Sequence, residues 1–265
     1  MKLIGVDVDG TLVNSKRVIT ENTKRALISA MKEGHKVVIV TGRPTAGARD
    51  LAERLEFEKY GGLISSFNGG AITNFATGDL LSNHEMDHKL AVEILEFSKD
   101  LALETMLPYK DTVYSPKIGP YTKGEATTLK MEAVGVEDLY KKIDFPVNKI
   151  LFAADPEIID EPAKKLYEKF GKLTVQVKSS RFYYEVMPKG LSKGKSLLEI
   201  AEIFNIDQKD IIAFGDEMND ETMIKAAGVG VAMGNAVEKI KEIADYVTLT
   251  NDEDGIAYYL DRFVL

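Results

Sequence analysis

The chain has 265 residues and no cysteine, so disulfides and thiolate metal sites are excluded. It also lacks an excess of positive charge. Lys and Arg number 34 against 42 Asp and Glu, a formal net charge of -8. That balance argues against nucleic acid or an anionic membrane surface as a partner, and any anion must be captured by local groups. No apolar run is long enough to span a bilayer, and no charged leader or cleavage site precedes the first apolar run. The expectation is a soluble cytoplasmic protein, monomeric or weakly dimeric. Internal repeats and low-complexity tracts are absent as well. The length exceeds the usual single domain, so two compact units are expected, each with a core of its own.

The most informative string is Lys2-Leu3-Ile4-Gly5-Val6-Asp7-Val8-Asp9-Gly10-Thr11. A short apolar run stops at two carboxylates and a Gly-Thr turn. The run reads as a buried strand, and in an open parallel sheet ligands bind outside the carboxyl ends of the strands. Residues i and i+2 of a strand share a face, so Asp7 and Asp9 are expected to converge on one ligand, although the chain is already turning at Asp9. Two unpaired carboxylates this close repel one another unless a cation sits between them.

Strand and helix patterns alternate through the first 65 or so residues, as in βαβ units of a parallel sheet. Thr20 is placed to cap a helix with Ala26, Leu27, Ala30 and Met31 on its apolar stripe, and Val37 to Val40 form a second buried strand. Leu63-Ile64 leads to a turn at Asn68-Gly69-Gly70. From about Asn83 to Glu185 the texture changes. Helical patterns over Asp87–Leu101 and Asp155–Phe170 alternate with half-apolar strands at 149–153, 173–177 and 182–186, which suits an α+β unit with one covered sheet face. After Pro188 the βα alternation resumes. A discontinuous α/β core with an inserted second domain accounts for this order.

Polar chemistry recurs at the strand ends. Thr41-Gly42-Arg43 offers a hydroxyl, backbone N–H groups and a guanidinium to a phosphate, or forms an ordinary turn. Lys193, in Gly190-Leu191-Ser192-Lys193-Gly194, opens a helix, where it neutralises a phosphate or Asp7, or simply lies at the surface. Gly215-Asp216-Glu217-Met218-Asn219-Asp220 supplies the hard oxygen ligands that Mg2+ requires, and one of its acids is a candidate helix cap.

Taken together and in this order, these four strings resemble the haloacid dehalogenase superfamily, and more narrowly its Cof-type phosphatases. Val231-Ala232-Met233-Gly234-Asn235-Ala236 and Asn251-Asp252-Glu253-Asp254-Gly255 extend the match. The resemblance implies a Rossmann-like α/β core, with a parallel sheet flanked by helices, formed by residues 1–82 and 186–265. It implies an inserted α+β cap at 83–185 that selects the substrate.

It also implies roles. Asp7 is the nucleophile that forms an aspartyl-phosphate, and Asp9 the general acid and base. Mg2+ is held by the Asp7 carboxylate, the Asp9 backbone carbonyl and Asp216. Thr41 and Gly42 bind the phosphoryl group, and Lys193 offsets its charge and steadies Asp7. Asn219 supports the phosphate site, and Asp220 supports the metal, through water or by orienting neighbours. Arg43 is either a phosphate contact or a gate. Asn68 is either a substrate contact or a turn residue. Dehalogenases and phosphonatases of the superfamily lack the second aspartate, so Asp9 favours hydrolysis of a phosphate ester of a small metabolite, such as a sugar phosphate. A phosphomutase or other phosphotransferase would keep the same residues, and a non-catalytic phospholigand-binding protein is the reading from another class.

Overall fold

Strand β1 (Leu3–Val6) is buried along its whole length, and its two faces go to different partners. Ile4 and Val6 pack with Ala26, Leu27, Ala30 and Met31 of the helix Glu21–Lys32. Leu3, on the other face, packs with Leu197, Ile200 and Ala201 of the helix Lys193–Ile203. Gly5 faces the same side as Leu3, and a Cβ there would lie 2.7 Å from Leu197 Cδ2. The missing side chain therefore lets that helix lie close against the strand. The structure is a computed structural model and describes residues 1–265.

The chain divides into two units, Met1–Ser82 with Ser192–Leu265, and Asn83–Leu191. In the first, β1 is followed by β2 (Lys36–Val40), β3 (Leu63–Ser66), β4 (Ala71–Asn74) and β5 (Leu80–Asn83). The second unit contributes β6 (Glu104–Tyr109), β7 (Thr112–Ser115), β8 (Glu132–Gly135), β9 (Ile150–Ala153), β10 (Thr174–Lys178) and β11 (Tyr183–Pro188). The chain then returns to the first unit with β12 (Ile211–Gly215), β13 (Val229–Ala232) and β14 (Tyr246–Val247).

The first sheet has the order β14-β13-β12-β1-β2-β3-β4-β5. It is parallel from β14 to β3, and β4 returns antiparallel to β3 through the turn at Asn68. Strand order reverses direction at β1, which lies between β2 and β12, and that switch point is where an open α/β sheet leaves a crevice for ligands. Thr20 caps the helix Glu21–Lys32 by accepting from the Thr23 N–H, as its position before the apolar stripe predicts.

The second sheet has the order β10-β11-β9-β6-β7-β8, with antiparallel pairs except β7 with β8. Leu107, Ile150, Phe152, Tyr184 and Val186 cover one face against the helices His88–Ser98 and Asp160–Phe170. Both helices are shorter than their sequence patterns. Asp87 stands outside the first as its cap, accepting from the Leu90 N–H at 3.0 Å. The return to the first unit comes at Ser192 rather than at residue 186. Strand β11 explains the difference, because it stays paired with β10 through Pro188. No helix is long and apolar enough to cross a membrane.

Candidate active site

Asp7 directly follows β1 and keeps its alternation, so its side chain faces the side of Leu3 and Gly5, toward the helix that begins at Lys193. Its own N–H donates to the Phe214 carbonyl of β12 at 3.1 Å, which anchors it to the sheet. Lys193 is the first residue of its helix, capped by the Ser192 hydroxyl, which accepts from the Lys195 N–H at 3.2 Å. Only 1% of the Lys193 surface is exposed. Its Nζ donates to Asp7 Oδ1 at 2.5 Å and to Asp220 Oδ1 at 2.6 Å.

Asp220 closes the turn after β12. Its Oδ2 accepts from the backbone N–H groups of Asp216 at 2.9 Å and Glu217 at 3.1 Å, so it is the reciprocal partner in a capping box whose N-cap is Glu217. Asp216 does not cap. Its Oδ1 accepts from the Thr11 hydroxyl at 2.8 Å, and its Oδ2 lies against Gly10. Gly10 has φ +81°, and a Cβ on it would come within 2.1 Å of that oxygen. Carboxylate oxygens of Asp7, Asp216 and Asp220 all lie within 4.8 Å of one another, and all three residues are buried.

A family model for haloacid dehalogenase-like hydrolases matches residues 4–260. The chain belongs to this family. Among its relatives, the phosphatase YwpJ of Bacillus subtilis is 34% identical over 294 residues, covering 100% of both chains. The 5-amino-6-(5-phospho-D-ribitylamino)uracil phosphatase YwtE of the same organism is 30% identical, covering 100% of this chain and 98% of that one. A haloacid dehalogenase-like hydrolase from Bacteroides thetaiotaomicron superposes with a TM-score of 0.93 at 34% identity, covering 98% of each chain.

The donor set of this haloacid dehalogenase-like hydrolase suits a divalent cation. Three buried carboxylates face one ammonium, which leaves two negative charges without a partner. Burial pushes the Asp7 carboxyl up to about 7, opposed by the Lys193 charge and assisted by Asp220. Burial likewise pushes Asp216 up to about 6, against the Thr11 hydrogen bond and with help from Asp220 and Glu217. Burial works against the Lys193 ammonium too, but its two carboxylate partners outweigh it and hold the lysine above its ordinary range. A further oxygen is at hand. In the turn after β1, the carbonyls of Asp7, Val8, Gly10 and Val13 all accept hydrogen bonds, whereas the Asp9 carbonyl accepts none from the chain.

The carboxylate of Asp9 does not join this cluster, contrary to the expectation that Asp7 and Asp9 converge. The chain turns at Asp9, and 64% of its side chain is exposed. Arg43 Nη2 donates to its Oδ1 at 2.6 Å and Oδ2 at 2.9 Å, and Nε donates to Oδ2 at 3.2 Å. The Arg43 guanidinium is thus committed to Asp9, with Nη1 on the Gly47 carbonyl at 3.4 Å.

Thr41 and Asn68 come from the ends of β2 and β3, which the backbone stitches together. The Thr41 N–H donates to the Ser65 carbonyl at 2.8 Å, and the Asn68 N–H to the Thr41 carbonyl at 2.9 Å. Asn68 is a turn residue, with φ +56°, and its carboxamide also faces Gly42. Asn219 is exposed on the turn between Asp216 and Asp220, outside the lysine–carboxylate network.

Three residues in contact with this machinery carry no role in the sequence reading. Thr11 holds Asp216. Asn235 and Asn251 hold the turn after β1 through the carbonyls of Gly10 and Val13. Thr11 had a signal, as the only hydroxyl in a string of acids and glycine. The asparagines had one only as members of the two C-terminal motifs.

Proposed function

We propose that this phosphatase hydrolyses small phosphorylated metabolites, sugar or sugar-alcohol phosphates foremost, in a Mg2+-dependent reaction through an aspartyl-phosphate on Asp7. The observation that carries the reading is the placement of the Lys193 ammonium between Asp7 and Asp220, with Asp216 beside them. A carboxylate so held presents an oxygen in fixed orientation beside a positive charge, which is what attack on an anionic phosphate ester requires.

In the first half-reaction an Asp7 oxygen bonds to phosphorus and the ester P–O bond breaks. Asp9 gives a proton to the departing oxygen, and the alcohol leaves. In the second, Asp9 takes a proton from water, the water oxygen bonds to phosphorus, and the Asp7–phosphorus bond breaks to release inorganic phosphate. Asp7, Asp216 and the Asp9 carbonyl would hold Mg2+, which would supply neutralisation of negative charge at the phosphoryl group. Thr41 and Gly42 bind the transferring phosphoryl group. Asn68 and Asn219 contact substrate from the flanking turns, Asp220 keeps Lys193 and the Asp216 turn in place, and Arg43 acts on Asp9.

Support for the substrate class comes from a full-length relative named for a phosphate on a ribityl chain, an alkyl phosphate on a polyol. Selection among such metabolites is assigned to the inserted unit, whose residues carry none of the four motifs. Phosphate release from an aryl phosphate with and without Mg2+, followed by a panel of phosphorylated metabolites, tests the reading. Mg2+-dependent release with preference for a sugar-type phosphate is expected. Absence of turnover by folded, metal-loaded protein would make it a phospholigand binder, and transfer between sugar positions without release would make it a mutase.

A further inference from the structure

The two C-terminal motifs place a pair of asparagines against the nucleophile turn, each joined to it by its side-chain amide. Asn235 Nδ2 donates to the Gly10 carbonyl at 2.8 Å, and Asn251 Nδ2 donates to the Val13 carbonyl at 2.8 Å. The two are themselves linked, because the Asn251 N–H donates to Asn235 Oδ1 at 2.9 Å. The loop that carries Asn235 also holds the second acid. The Val237 N–H donates to the Asp216 carbonyl at 2.9 Å, and the Met233 N–H donates to the Gly215 carbonyl at 3.0 Å.

Asn235 is exposed, and an exposed amide adds little to stability because water replaces its bonds. Its effect is on position. The Asp9 carbonyl belongs to the peptide unit just before Gly10, and Gly10 has the backbone freedom to swing that unit. A clamp on the Gly10 carbonyl removes that freedom from the C-terminal side. The bond from Asn235 also sets the spacing between the turn of Asp9 and the loop of Asp216, the two sources of oxygen ligands besides Asp7. Resting on the Mg2+-dependent reading above, we propose that Asn235 and Asn251 form a positioning relay that holds the Asp9 carbonyl and Asp216 at the spacing an octahedral Mg2+ demands.

The two candidate cations differ in what they tolerate. Mg2+ requires near-ideal octahedral geometry, whereas Ca2+ accepts six to eight oxygens in flexible arrangements. Loosening the turn therefore weakens Mg2+ selectively, and a change of charge or of overall stability weakens both ions together. Asn235→Ala and Asn251→Ala in the full-length chain are titrated with Mg2+ and Ca2+ by calorimetry, alongside the Mg2+ dependence of kcat and KM. Expected are a Mg2+ affinity about tenfold lower, the usual size for losing a group behind a metal ligand, and a Ca2+ affinity within about threefold of wild type. The kcat recovers at saturating Mg2+, and KM for the phosphate ester stays near wild type.

Asn235→Asp keeps the acceptor for Asn251, removes the donor to Gly10 and adds a charge that acts on both ions alike, so the ratio of affinities covers the case in which an alanine variant does not fold. Its ratio of Mg2+ to Ca2+ affinity falls as well. Equal weakening of both ions, or unchanged Mg2+ binding with a lowered Tm, overturns the relay and leaves a structural brace. Failure of the wild type to bind Mg2+ overturns the metal reading and the relay with it, whereas normal wild-type binding with unaltered variants overturns the relay alone.

Discussion

Arg43 grips Asp9 by both carboxylate oxygens, while Asp7, two residues earlier, is held by Lys193. The two opening acids therefore answer to different cations. Asp7 is fixed and buried, and Asp9 stands in the open on a guanidinium fork. A carboxylate engaged through both oxygens has no proton to give, so its side chain would have to leave Arg43 to serve as the proposed acid. Arg43→Ala should cost little stability, because exposed ion pairs contribute about 0–1 kcal/mol. It should lower kcat by about tenfold or more through lost orientation, and by a greater factor for an alkyl than for an aryl phosphate. Equal losses on both ester types would show instead that Arg43 acts on the phosphoryl group.

Asp7→Asn removes the proposed nucleophile, and turnover should vanish with every substrate. Asp9→Asn removes the proposed proton transfer, a loss of about 10²- to 10⁴-fold, together with the ion pair to Arg43. With an aryl phosphate, whose leaving oxygen needs little protonation, this variant should accumulate phosphate on Asp7, detectable by rapid-quench mass analysis of the peptide. Label on any other residue would reassign the nucleophile.

Replacing Lys193 by Met leaves Asp7 and Asp220 buried beside each other with no counter-charge. Breaking such a pair from one side costs about 3–5 kcal/mol, readable in urea denaturation near pH 7.5. The loss should shrink toward pH 5, below the value of about 7 to which burial raises the Asp7 carboxyl. A cost below about 1 kcal/mol would mean that the ammonium does not bridge the two acids.

At the proposed metal ligand Asp216, metal and proton would compete. Its folded-state carboxyl titrates at about 6, well above the ordinary aspartate value of about 3.9. Between those values the folded chain keeps a proton that the unfolded chain has lost, so the contribution of Asp216 is fullest below about pH 4 and is lost as pH rises through about 6. In EDTA, raising the pH from 4 to 7 should therefore cost the wild type more stability than Asp216→Asn. Mg2+ should restore stability to the wild type at pH 7 to 8 and do little for the variant. Identical pH profiles in EDTA would remove Asp216 from the charge imbalance.

Much of the core was readable because its strands are short apolar runs that end abruptly in polar chemistry, as at Val6-Asp7 and Phe214-Gly215-Asp216. The meeting of Asp7 with Lys193 was one of several readings of that lysine until the resemblance singled it out, since no local pattern links residues 186 apart. The rotamer of Asp9 was not readable, because a side chain on a turn takes its direction from a partner on another loop, here Arg43. The roles of Asn235 and Asn251 were hidden for a related reason: their partners are backbone carbonyls, which leave no trace in residue identity. In the inserted unit the helix Pro120–Leu129 escaped notice because it buries only Thr122, Ala126 and Leu129 and carries Gly124 and three threonines. Its packing supplies the order that its own periodicity does not.

The position of β1 bears on how the chain is made. Its register pairs Leu3 with Lys36 on one edge and with Ile211 on the other, so once synthesised the strand that leads to Asp7 waits for its second neighbour until about 200 more residues have followed. Every strand from β6 to β11 finds its partners within the second sheet, so that unit is able to close first, while β1 still has an open edge. Asp7 is thus among the last groups of its sheet to be assembled into working order, and truncated chains that end before β12 carry Asp7 without Lys193's second carboxylate partner, Asp220.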